Sequence, residues 1–161
     1  MQKEYVRWST FVKIITIIIG IILIIINIRL IKNFNGKPID YLIIFCTLLM
    51  PLFIIFITPL YIVLKDDCIV VKKVIGKIVI PYEVIGLAEA FKIGNGDIRI
   101  FGSGGFFGYI GVFSNQLLGK YQSYICNPKD AFMIITKNGK KYAFSCSNRD
   151  QIVEYIKHQL K

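Results

Sequence analysis

From Tyr41 to Leu64 the chain reads YLIIFCTLLMPLFIIFITPLYIVL, without one charge. A run this long and this apolar is not tolerated on the surface of a soluble domain and reads as a membrane span. It is followed by alternating, turn-punctuated segments, so it ties a membrane to a domain. The rest of the chain must be placed around that junction.

A second oily run precedes it. Ile14–Ile28 is almost wholly isoleucine, broken by Gly20 and Asn27. Extended to 11–31 it covers roughly 31 Å at 1.5 Å per residue, enough to cross a hydrocarbon core. Lys13 and Arg29 then lie where their charges can snorkel to water, and Tyr5 and Trp8 fall at an aromatic belt. A cleaved signal peptide is disfavoured, because no small-x-small site follows and Arg29 and Lys32 come directly after. Asn33–Pro38 is a turn-rich connector. The second span is expected over 39–58, kinked at Pro51 and ended by Pro59. The expected organisation is a transmembrane hairpin over 1–59 and a domain over 60–161.

Orientation follows from the basic residues. The N-terminal arm has Lys3, Arg7 and Lys13, and the start of the domain has Lys65, Lys72, Lys73 and Lys77. The connector has only Arg29, Lys32 and Lys37. The positive-inside bias favours the cytoplasm for both termini and the domain of this multi-pass chain.

Composition narrows the function. The net charge is +10, with 55% hydrophobic residues. The charge is spread along the chain, without the basic stripe of a nucleic-acid binder. It suits contact with anionic headgroups. Of Cys46, Cys68, Cys126 and Cys146, none forms a CxxC, and His158 is the only histidine. Zinc takes four clustered ligands, so no metal site is expected. Cys46 reads as a packing residue within a span and the others as reduced core thiols of a cytosolic face.

The domain reads as mostly strand. Segments 60–64 and 68–72 flank the turn Lys65-Asp66-Asp67. Val74–Ile80 follows with a turn at Gly76-Lys77, then 82–87 after Pro81, and 88–93 up to a turn at Gly94–Asp97. A short strand at 98–101 leads into a glycine-dense segment. Strands at 121–126 and 131–136 come next, and Asn138-Gly139 predicts a hairpin to 141–146. The period then changes: Ile152, Val153, Ile156 and Leu160 share one helical face. Asn148 with Gln151 is a capping-box signal, and Lys157, His158 and Lys161 suit the helix dipole at its end.

Three segments carry a family resemblance: Tyr61-x-Val63-x-x-Asp66-Asp67-x-Ile69-Val-Val-Lys72; Ile80-Pro-Tyr-Glu-Val-Ile85; and Arg99-Ile-Phe-Gly-Ser-Gly-Gly-Phe-Phe-Gly-Tyr-Ile-Gly111. With two preceding spans, the chain resembles bacterial pleckstrin-homology (PH)-like proteins. The resemblance implies an α+β, mainly β fold: a bent barrel of about seven strands capped by a C-terminal helix. It also implies a non-enzymatic binding or scaffolding module at a bacterial inner membrane, and not a phosphoinositide reader.

Gly102–Phe113, GSGGFFGYIGVF, is the most unusual stretch. Glycines permit close backbone approach and aromatics supply contact area. Arg99, Phe106, Phe107, Tyr109 and Phe113 are therefore candidate partner-binding residues. Two other readings stand beside this one: a barrel corner whose aromatics are core, and a lipid contact. An arginine so placed is more often a solvated strand residue, or one that ties down the loop, than a bidentate clamp on a carboxylate or phosphate. Lys65, Lys72, Lys73 and Lys77 are candidate lipid-surface residues, or solvated positions on a protected strand edge. A phosphate-cradling loop is disfavoured, because Phe107 stands where the third glycine belongs and no helix follows. No nucleophile has a base and an orienting group.

The expectation is a non-enzyme with no cofactor, binding a protein partner or a second copy of itself at the membrane. An anionic-lipid sensor and an accessory subunit of a membrane enzyme or transporter are the alternatives. Neither nucleic acid nor a small-molecule substrate is expected.

Overall fold

The computed structural model describes residues 2–94 and 96–160. Met1, Asn95 in the expected 94–97 turn, and Lys161 at the expected helix end lie outside the described residues. Ten strands and three α-helices form among those described: β1 Gln2–Tyr5, α1 Thr10–Lys32, α2 Pro38–Ile57, β2 Pro59–Leu64, β3 Cys68–Lys73, β4 Lys77–Pro81, β5 Ile85–Ala90, β6 Asp97–Gly104, β7 Tyr109–Asn115, β8 Gly119–Ile125, β9 Ala131–Thr136, β10 Lys141–Ser145 and α3 Arg149–Gln159.

Both long helices are apolar and long enough to cross a membrane. Their isoleucines, leucines and phenylalanines are largely uncovered by protein. Ser9 starts α1, its side chain accepting from Val12 N at 3.2 Å. Pro38 opens α2, and Asp40 accepts from the N–H groups of Asn35 and Lys37. The helix continues through Pro51 and stops at Ile57, and Pro59 begins β2. Cys46, expected to pack, is exposed. Two helices side by side leave most of each surface bare.

The strands make two sheets, ordered β1-β2-β3-β4 and β5-β9-β10-β8-β7-β6. Pairing is antiparallel except β8 with β10. No hydrogen-bonded ladder joins the two sheets among the described residues, so no closed barrel is found. One core links them: Ile62, Ile69 and Val71 from the first sheet, Phe132, Ile134 and Phe144 from the second, and Ile152, Val153 and Ile156 from α3. Burying aliphatic side chains of this size contributes roughly 1.5–3 kcal/mol each.

Three expectations change. The turn after β3 spans Val74–Gly76, so β4 begins only at Lys77. The glycine-dense segment is a full hairpin, β6 with β7. Asn148 makes no side-chain cap on α3; its Nδ2 donates to Glu4 Oε2 at 2.9 Å.

The N-terminal arm is the largest addition. β1 pairs with β2, setting Lys3 against Val63 and Tyr5 against Tyr61. The Lys3 ammonium stands 3.9 Å from the Tyr61 ring centroid, and Tyr5 O accepts from Ser147 N. The arm is thus part of the domain's own sheet, and the hairpin α1–α2 is held to the domain at both of its ends.

Candidate functional site

The glycine hairpin is built by backbone contact. Gly102 and Gly111 sit opposite each other across β6 and β7, with φ of +112° and +133°. A Cβ on Gly102 would lie 2.1 Å from Ile110 O, and one on Gly111 would lie 2.1 Å from Phe101 O. No other residue fits, because both the space and the left-handed backbone demand glycine. The tip is closed by Gly105 N donating to Gly108 O at 2.9 Å and Ser103 Oγ donating to Phe106 O at 2.5 Å.

The tip does not stand free. It grips the start of α1. Phe107 has φ +59°, a strained region for a bulky residue. Its N–H donates to Thr16 Oγ1 at 2.9 Å, and that hydroxyl donates to Val12 O at 2.7 Å. The Phe107 ring meets Trp8 edge-on, with centroids 5.3 Å apart, and Phe106 meets Phe107 in the same way. From the other side Ser9 N donates to Cys126 O at 3.1 Å, and Cys126 Sγ reaches Phe107 O at 3.5 Å. Val12 is fully buried between these groups.

The predicted site residues therefore separate. Phe107 is half-buried and holds α1; Phe106 is half-buried beside it. Phe113, expected as a contact residue, is only 3% exposed and stacks on Tyr121 in a second core cluster. β7 turns its side chain toward this cluster.

Tyr109 and Arg99 instead line a cleft of about 620 Å³ with Ile93, Gly94, Asp97, Gly104 and Phe113. Asp97 in this cleft is fully engaged: it accepts from Gly94 N, Asn115 Nδ2 and Tyr121 Oη at 2.7, 3.1 and 2.8 Å. Arg99 is exposed, and its side chain makes no hydrogen bond or ion pair among the described residues. A guanidinium in no direct ion pair, between aromatic side chains, can take up a carboxylate or phosphate group bidentately, although the Asp97 carboxylate shares the cleft.

Next to Arg99 lies an exposed apolar strand edge that was not among the expected site features. β6 is one of the two edge strands of its sheet. It exposes Ile98 (69%), Ile100 and Phe101 (64%), around a register shift between Arg99 and Phe101. The alternating Ile98 and Ile100 in this short strand are its signal in the sequence.

The lysines also divide. Lys72 and Lys77 are cross-strand partners, and Lys73 is opposite Pro59, so these three gather at the end of α2. Lys65 follows the far end of β2, about 20 Å away at roughly 3.3 Å per residue. It does not join the others.

Cys68, Cys126 and Cys146 are buried, as core thiols should be. Burial pushes the Cys126 and Cys146 thiols up to about 12 and raises that of Cys68. Protonated, enclosed thiols are poor nucleophiles.

A family model described as Bacterial PH domain matches residues 60–160, more than half of the chain. Neither the curated proteins nor the solved structures contain a match.

Proposed function

Because the chain belongs to the bacterial PH-domain family, whose domains are generally binding modules, we propose that it is a membrane-anchored, non-catalytic binding or scaffolding protein. In this reading α1 and α2 cross the cytoplasmic membrane as a hairpin, and the domain works on the cytoplasmic face. The uncovered apolar surface of both helices supports the crossing. The β1–β2 ladder supports a common side for the N-terminal arm and the domain, since strands that pair cannot be parted by a bilayer. The excess of lysine on that side favours the cytoplasm.

The partner is a protein segment or a second copy of the chain. One observation carries this reading: β6 is an unpaired edge that exposes Ile98, Ile100 and Phe101 around a partner-free Arg99. Exposed apolar edges are templates for strand addition. Arg99 and Tyr109 would then fix an acidic side chain of the added strand in the cleft beside it. Phe106 and Phe107 serve the arrangement by anchoring the hairpin, not by touching the partner.

The test is photo-crosslinking of the full chain in native membranes, with a benzophenone amino acid replacing Phe101 or Leu117. Capture through position 101 that is lost in Arg99→Glu supports the reading. Equal capture from the two positions, or capture from neither, removes β6 as the contact.

A second reading has its own observation. Lys72, Lys73 and Lys77 gather beside α2, and each lysine near an anionic surface contributes about 1 kcal/mol of attraction. Lipid sensing would make occupancy of these lysines the signal. Vesicles with and without phosphatidylglycerol separate the two readings: sensing requires the domain's protection from proteolysis to follow the anionic lipid content.

A further inference from the structure

Two hairpin tips of the domain reach the same level as the domain-side ends of the two long helices, each bound to a different helix. At α2 the contact is the β3–β4 turn. Val74 N donates to Thr58 O at 3.0 Å and Ile75 N to Phe56 O at 2.9 Å. Phe56 is the penultimate residue of α2. At α1 the contact is the glycine tip, where Phe107 N meets Thr16 Oγ1 and a Cβ on Gly105 would touch Phe11 and Ile15.

We infer that both tips sit in the interfacial layer of the bilayer that α1 and α2 cross, so that the domain lies flat on its own membrane in one fixed orientation. The inference rests on the crossing proposed above.

Lengths place the tips. The 20 residues of α2 rise roughly 30 Å, about one hydrocarbon thickness. Phe56, and with it Ile75, is then at the near boundary. Counting the same thickness back along α1 from Lys32 sets the boundary near Val12, and Phe107 binds roughly one turn inside it. The side chains agree with this depth. Val74 and Ile75 are exposed, Ile75 by 58%, though a turn tip in water would favour polar residues. Lys72, Lys73 and Lys77 surround the turn, placed to meet anionic headgroups while the aliphatic pair enters below them. Trp8 sits beside the other tip, at the depth aromatic residues prefer. A protein occupant would have to share this level with the lipid around both helix ends, and a bilayer is already there.

The experiment uses the full chain in phosphatidylcholine–phosphatidylglycerol vesicles. An environment-sensitive fluorophore is attached through Ile75→Cys, with Cys46→Ala removing the one exposed thiol. Probes through Ile24→Cys and Leu117→Cys report mid-helix and water. Leu117 is 95% exposed in the β7–β8 turn, at the end of the hairpin away from the tip. Trp8 is the only tryptophan and reads the second tip without substitution, through lipids brominated high on the acyl chain.

We expect position 75 and Trp8 to be quenched several-fold more by shallow lipid quenchers than position 117, and to be shielded from aqueous iodide. If position 75 or Trp8 matches position 117 while position 24 is lipid-quenched, the helices cross but that tip stands off, and the inference is overturned for it. If position 24 is itself open to iodide, the crossing fails and the inference fails with it.

Discussion

The backbone N–H of Phe107 donates to the side-chain oxygen of Thr16 at 2.9 Å, across 91 positions of sequence. This bond ties the tip of an otherwise peripheral hairpin to the second turn of α1. It also explains why Phe107 keeps a left-handed backbone at φ +59°: the strained geometry aims its N–H at the helix and its ring at Trp8. Thr16→Val keeps the shape and deletes the acceptor. The orphaned donor should cost about 1–3 kcal/mol. We expect a lower unfolding midpoint for the full chain in detergent, together with a changed Trp8 emission, while Thr16→Ser restores both. An unchanged midpoint and emission in Thr16→Val would mean that the bond carries no load.

The Gly102–Gly111 pair should be the least tolerant place in the domain. Alanine at either position puts a methyl 2.1 Å from a backbone oxygen of the facing strand and holds it at a φ that L-residues avoid. Backbone cannot swing aside as a side chain can, so the strands must part. The expected loss is roughly 4 kcal/mol or more, at the extreme of single substitutions. Gly139→Ala is the control. Its φ is +80° but nothing lies within 4 Å, so only the conformational cost of about 1–2 kcal/mol applies. Thermal unfolding followed by circular dichroism ranks the three. Equal losses at 102, 111 and 139 would show that φ alone matters and that the close approach is irrelevant.

What could be read in advance follows from the range of each signal. The two apolar helices, the buried face Ile152-Val153-Ile156 and the core thiols are local patterns, carried by residue type and spacing. β7 was missed because its glycine-rich approach opposes strand propensity; its stability comes from β6 and β8 on either side, not from its own residues. β1 was missed because four residues carry no periodicity, and their partner strand lies beyond both long helices. The capping signal at Asn148 misled for a similar reason, since Glu4 from the N-terminal arm takes the side chain that a local rule assigns to the helix. Of the candidate site, Arg99 and the lysines at 72, 73 and 77 were visible as residues. The length of β3 that separates Lys65 from them follows from the strand–turn–strand pattern, whereas the packing that hides Phe113 depends on register, which a single sequence does not display.

Within the helix hairpin the only polar cross-contact among the described residues is Thr47 Oγ1 with Asn27 Oδ1 at 3.1 Å. The Asn27 amide also donates to Leu23 O at 2.8 Å. The Thr47 hydroxyl has local acceptors in Ile43 O and Ile44 O at 2.9 and 3.0 Å. Each group thus keeps a partner if the other is removed, which should make the interhelical bond modest. A double-mutant cycle of Asn27→Leu and Thr47→Val is expected to give a coupling of about 0.6 kcal/mol, and no more than roughly 1.7. Strict additivity in that cycle would mean that the helices are paired by packing alone.

Alkaline stability offers a test of the core that is independent of any partner. Cys126 and Cys146 have thiols raised from 9.0 to about 12, chiefly by burial. The unfolded chain releases these protons near pH 9, whereas the folded chain holds them until about pH 12. Between those limits the unfolded state binds fewer protons, so stability is complete below pH 9 and falls as pH rises. Each thiol contributes a slope of at most about 1.4 kcal/mol per pH unit in that window. Tyr82, Tyr121 and Tyr124 are also raised by burial from 10.0, so they add to the slope only at the upper end. Cys126→Ala lowers stability at neutral pH by opening a small void, yet it should flatten the fall between pH 9 and 10 by removing one titrating group. Denaturant unfolding of the full chain at pH 8, 9 and 10 measures both effects. A variant as steep as the parent would mean that the Cys126 thiol ionises alike in the folded and unfolded chains, against its burial beside the start of α1.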